Sequence, residues 1–208
     1  MNELLKKCLV EFIGTFFLVL TIGCCVYSPA QGIIAPLAIG FVLMVMVYAG
    51  GYISGGHYNP AVSLACFVRG VLSAKDMLFY WISQLVAAVV ATVVVKQLVF
   101  VPATNPATFN LCQLMTCELL FTFALCYVVL HTATSKETEG NSYYGLAIGS
   151  TVMVGAFATS GLCFGAFNPA VAIGLLTMGA AAKLIGLTSG INLIGGILAG
   201  VVYKLTAK

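Results

Sequence analysis

Two short apolar segments, each opening abruptly on Asn-Pro, constrain this chain more than any other feature. Asn59 to Arg69 and Asn168 to Met178 both begin Asn-Pro-Ala-Val. At 1.5 Å per residue, a helix of about ten residues covers roughly 15 Å, half of a hydrocarbon core about 30 Å thick. These segments are too short to span a membrane and too apolar to lie in solvent, so each is expected to be a re-entrant half-helix. Backbone ends at membrane depth are tolerated only where protein buries them or where they line a cavity. Six longer apolar stretches supply the surrounding bundle, running approximately from Cys8 to Tyr27, Ile33 to Gly51, Met77 to Val95, Leu111 to His131, Tyr143 to Gly161, and Leu184 to Tyr203.

Composition agrees. Only 7% of the 208 residues are charged and 61% are hydrophobic, for a mean hydropathy of +1.08. A soluble domain carries about a quarter charged residues, so this chain has too few to cover a water-facing surface. The expected fold is an all-α membrane protein with six transmembrane helices and two half-helices. Six spans nearly exhaust the length, which leaves no room for a separate soluble domain, and the first span reads as a retained helix. Lys6, Lys7, Arg69, Lys75, Lys136, Lys204 and Lys208 fall at the N-terminus, the second and fourth connections, and the C-terminus, against Lys96 and Lys183 on the other side. Both termini are therefore expected in the cytoplasm, and the cell membrane is the expected location. No basic run suggests nucleic acid. Cys8, Cys24, Cys25, Cys66, Cys126 and Cys163 lie in or beside apolar runs without metal-ligand spacing and read as packing filler, while Cys112 and Cys117 could reach the outer face. No metal or cofactor is expected.

The chain repeats itself. Glu11, Thr15 and Phe16 match Glu118, Thr122 and Phe123 at an offset of 107, and Asn59-Pro60-Ala61-Val62 matches Asn168-Pro169-Ala170-Val171 at 109. One duplication explains both, with halves of approximately 1–104 and 105–208 in a single domain. Three spans per half is an odd number, so the second half must insert upside down, and the half-helices then meet from opposite faces near the midplane.

On these residues, and on Glu11-Phe12-Ile13-Gly14-Thr15-Phe16, Ile53-Ser54-Gly55-Gly56-His57-Tyr58 and Tyr80-Trp81-Ile82-Ser83-Gln84, the chain resembles the aquaporin, or major intrinsic protein, family. The resemblance covers nearly the whole chain. It implies a passive channel for water or small uncharged solutes, in a homotetramer with one pore per subunit. A third triplet, Asn105-Pro106-Ala107, precedes no half-span and reads as a decoy.

Asn is a favoured helix cap and Pro a favoured first helical residue, so Asn-Pro starts a helix abruptly. The first-turn N–H groups lack partners and that end carries about half a positive charge. Two such ends facing each other form a barrier to cations, and the amides of Asn59 and Asn168 are expected to donate to a passing water oxygen. Glu11 and Glu118 are carboxylates within spans. They are expected to accept hydrogen bonds from the backbone leading into each half-helix, the alternative being proton coupling in a secondary transporter with inverted repeats. His57 is expected near the cytoplasmic vestibule, and His131 at a span end carries no expected role.

The family pattern breaks at one place. Most members have Arg directly after the second Asn-Pro-Ala, where this chain has Val171. By the same resemblance the other constriction positions are Ile39, Ala156 and Gly165. Without a guanidinium the constriction loses a fixed charge and its donors. It is expected to be apolar and wide, passing water and solutes of the glycerol, urea or ammonia class. A serine protease is excluded because no Ser-Gly pair has a Gly two positions before its serine, and neither a charge ring nor a carbonyl filter for ions is visible.

Overall fold

The structure, a computed structural model, describes residues 2–27, 34–102 and 108–207. The triplet Asn105-Pro106-Ala107 lies outside the described residues. Among the described residues are eight α-helices: α1 (Glu3–Tyr27), α2 (Ile34–Ser54), α3 (Pro60–Arg69), α4 (Ala74–Leu98), α5 (Leu111–Ala133), α6 (Tyr144–Ala158), α7 (Pro169–Thr177) and α8 (Ala182–Thr206). A 3-10 turn, Lys136–Thr138, sits between α5 and α6. The half-helices are α3 and α7.

Five of the helices are long and apolar enough to cross a membrane. The sixth expected span is shorter than the hydropathy suggested. α6 has 15 residues and so a length of about 22 Å. The apolar pattern continues to Gly161, but Thr159 N–H and Leu162 N–H close turns on Gly155 O and Thr159 O, and Gly161 adopts φ +79. The chain must reverse here to re-enter the bundle, and hydropathy does not register that reversal. At several other ends, as at both ends of α4 and α8, the helices outrun the apolar pattern. α4 starts at Ala74 because Ser73 Oγ caps the Asp76 N–H at 3.0 Å.

Packing follows the repeat. α1 packs on α2 and α4, as α5 packs on α6 and α8, and α2 meets α6 across the boundary. Each half-helix also reaches the opposite half: α3 against α8 and α5, α7 against α4 and α1. Exchanging the halves maps each contact onto another, the signature of an inverted repeat. Close approach is made possible by small residues. A Cβ on Gly40 would lie 2.8 Å from Gly149 O where α2 crosses α6, and one on Gly196 would lie 2.5 Å from Ala61 O where α8 backs onto α3. The outer faces remain apolar, as with Leu5, Leu9, Ile13 and Phe17 at four-residue spacing along α1. Such a surface suits lipid rather than water.

Candidate pore between the two half-helices

Each half-helix starts from the same unusual turn. Tyr58 (φ +49) and Phe167 (φ +46), the residues before Asn59 and Asn168, are left-handed although neither is glycine. This conformation costs on the order of 1–3 kcal/mol for a bulky residue and persists only where its surroundings hold it. The buried carboxylates do so. Glu11 accepts the N–H groups of His57 (2.9 Å) and Tyr58 (2.6 Å), and Glu118 accepts those of Ala166 (3.0 Å) and Phe167 (2.8 Å). Both carboxylates have no solvent exposure.

The turn then aims a carbonyl across the interface between the halves. Asn59 Oδ1 caps the Ala61 N–H at 2.8 Å while its Nδ2 donates to Phe167 O at 2.9 Å. Asn168 Oδ1 caps Ala170 N–H at 2.8 Å, and its Nδ2 donates to Tyr58 O at 2.8 Å. Pro60 and Pro169 occupy the first helical positions, where no N–H is needed. An amide nitrogen carries two hydrogens, so each asparagine keeps one beyond this cross-link.

Both asparagines line a cavity of about 20 Å³ shared with Ile39, Val62, Gly165 and Val171. That is room for about one water. A second cavity of about 300 Å³ opens beyond it, bordered by Ile39, Ala156, Gly165 and Val171 together. Ile39, Gly165 and Val171 border both, whereas Ala156 faces only the larger one. No Asp, Glu, Lys or Arg lines either cavity among the described residues. His57 lies deeper than the vestibule expected for it. It lines the small cavity beside Asn59, with Nδ1 3.0 Å from Ser63 Oγ, because Glu11 draws its backbone inward. A separate cavity of about 670 Å³ is bordered instead by Gly51, Gly55, Thr132, Lys136, Glu139 and Asn141. Glu11 and Glu118, the carboxylates through which a transporter would couple, line none of these cavities.

Several residues that hold the site escaped the sequence reading. Gln84 Nε2 donates to Glu11 at 2.8 Å and to Ser63 Oγ at 3.2 Å, and Ser54 Oγ donates to Glu11 at 2.7 Å. Asn192, with its amide nitrogen turned toward the carboxylate, donates to Glu118 at 3.1 Å and accepts the Asn168 N–H at 3.0 Å. The signal was present: Gln84 and Asn192 are buried polar residues in spans, 108 positions apart, at the spacing of the repeat. Cys163 is a correction of another kind. Expected as filler, its sulfur accepts the Gly165 N–H and donates to Thr159 Oγ1, both at 3.3 Å.

Residues 1–203 match the family model described as Major intrinsic protein. The chain belongs to the major intrinsic protein family. As a major intrinsic protein it is a passive, multi-pass membrane channel for water and small solutes, and not an enzyme. It is 33% identical over 186 residues to aquaporin NIP1-4 of Oryza sativa subsp. japonica, covering 84% of this chain and 67% of that protein. It is 35% identical over 182 residues to the glycerol uptake facilitator protein-like 6 of Lactiplantibacillus plantarum, covering 82% of each. The solved aquaglyceroporin from Plasmodium falciparum aligns with a TM-score of 0.78 over 98% of this chain and 96% of its own, at 18% identity, a likeness of fold.

Proposed function

We propose that the conduction path of this major intrinsic protein runs between α3 and α7, and that it passes small neutral solutes of the glycerol, urea or ammonia class together with water. Asn59, Pro60, Ala61, Asn168, Pro169 and Ala170 form its centre; Ile39, Ala156, Gly165 and Val171 form its outer constriction. The observation that carries this reading is the run of two adjoining cavities, joined by three constriction residues and with both asparagines on the smaller one, with no ionised side chain along the described walls. The free N–H of each asparagine amide offers a donor to a solute oxygen or nitrogen. The half-helix ends, converging from opposite sides, repel cations. At Val171 no guanidinium competes for the solute or narrows the passage, so proton and cation exclusion rests on those dipoles alone.

Placement follows from charge. Arg69 at the end of α3 donates to Thr134 O (2.8 Å) at the end of α5 and to Tyr203 OH (3.1 Å) near the end of α8, which gathers basic helix ends on one side. We assign that side to the cytoplasm of a cell membrane. A homotetramer covers part of the apolar outer face, a state that native mass measurement in detergent tests directly.

The function is tested by stopped-flow light scattering on reconstituted liposomes. Shrinkage in sucrose faster than in empty vesicles, and fast re-swelling with glycerol or urea, is the expected result. Val171→Arg should then lower solute permeability more than water permeability. Fast water flow without any solute re-swelling overturns the proposed permissive constriction.

A further inference from the structure

The repeat pairs Ser54 with Cys163, 109 positions apart, in turns that are otherwise built alike. Each precedes its asparagine by five residues. In the first turn Ser54 Oγ accepts the N–H of Gly56 at 3.1 Å. In the second, Cys163 Sγ accepts the N–H of Gly165 at 3.3 Å. The acceptor is a hydroxyl in one half and a thiol in the other. Ser54 gives its proton to Glu11; the Cys163 thiol has two acceptors in reach, Glu118 and Thr159 Oγ1, the latter of which donates to Gly155 O at 2.9 Å. A chain of hydrogen bonds thus runs from the end of α6 through Thr159 and Cys163 to Gly165.

Gly165 is the residue for which that chain matters. It adopts φ +64, has nothing within 4 Å of where a Cβ would be, and borders both cavities of the proposed path. A glycine without neighbours on that side has wide backbone freedom. The Cys163 sulfur and the Glu118 carboxylate, which takes the next N–H along, are the groups that orient this stretch. Gly56, its counterpart, lines neither cavity. The same hydrogen bond is therefore placed beside the constriction in the outer half only.

We propose that Cys163 is a positioning residue of the constriction: its sulfur, through the Gly165 N–H, sets the opening bounded by Ile39, Gly165 and Val171, and with it the ratio of solute to water permeation. The proposal rests on the reading of those residues as the constriction. Cys163→Val keeps an apolar side chain of comparable volume and removes the acceptor. Cys163→Ser restores an acceptor of the kind the first turn uses.

In liposomes matched for protein content, Cys163→Val is expected to change the glycerol-to-water permeability ratio about threefold or more, the scale of one hydrogen bond, and Cys163→Ser to stay within about twofold of the parent. A purely structural role would lower both permeabilities together and leave the ratio alone. Should Cys163→Val not assemble, Cys163→Ala is measured in its place. An unchanged ratio in the acceptor-free variant, or a Ser variant that shifts as far as the Val variant, overturns the proposal. Val171→Arg measured alongside separates the two readings. If it alters the ratio while Cys163→Val does not, only the role of Cys163 falls. If it leaves the ratio unaltered, the constriction has been misplaced and the proposal falls with it.

Discussion

Glu11 holds its half-helix through a serine and a glutamine beside two backbone donors, whereas Glu118 uses a cysteine and an asparagine beside two of its own. Around Glu11 converge Ser54 Oγ, Gln84 Nε2 and the N–H groups of His57 and Tyr58. Tyr80 OH locks the same loop from outside by donating to Ser54 O at 2.7 Å, and Trp81 Nε1 donates to Pro60 O at 2.9 Å. At the repeat positions of Tyr80 and Trp81 the second half has Thr188 and Ser189, whose buried hydroxyls have no partner. Instead Asn192 binds Glu118, Thr122 and the Asn168 N–H at once. One ancestral plan, duplicated, thus carries two different sets of braces. The first loop is clamped from several sides. The second, which lines the proposed constriction, lacks the tyrosine and tryptophan clamps and hangs on longer bonds, so smaller changes there should reach permeation.

Glu11→Ala strands four buried donors and should cost about 4 kcal/mol or more, with Glu118→Ala costing less. Thermal unfolding in detergent reads both, and equal losses would remove the asymmetry. Asn192→Leu should destabilise by about 2–3 kcal/mol and Gln84→Leu by about 1 kcal/mol less, because Gln84 Oε1 is already buried without a partner and Asn192 has none to spare. The reverse order would show that Gln84 is the stronger brace. Trp81→Phe removes one hydrogen bond to Pro60 O and should lower stability by about 1 kcal/mol. Ser189→Ala, at the matching position, should change stability by less than about 0.5 kcal/mol, since its hydroxyl bonds nothing. A loss as large as that of Trp81→Phe would reveal a brace the second half was thought to lack.

Part of this asymmetry is written in the sequence. The offset of 107 to 109 residues announced the duplication, and the same ruler, applied to Gln84 and Asn192 or to Ser54 and Cys163, finds the braces that hydropathy passes over. From sequence Cys163 reads as filler because a thiol in an apolar stretch packs well, and nothing local distinguishes a packed sulfur from one accepting an N–H two residues on. The end of α6 was misread for a related reason. Hydropathy continues through Gly161, whereas the helix stops where the backbone must reverse.

By itself, then, the amino-acid sequence determined the membrane setting, the spans, the half-helices and their inverted relation. These depend on composition, periodicity and cap chemistry, each decided within a turn or two of the chain. The tertiary structure decided what the polar groups do. Asn59 reaches Phe167 O and Asn168 reaches Tyr58 O across 108 and 110 residues, and both carbonyls are available only because two aromatic residues accept a left-handed backbone. The direction of a hydrogen bond at the bilayer centre depends on how two distant halves dock, and docking is a property of the packed bundle rather than of any segment within it.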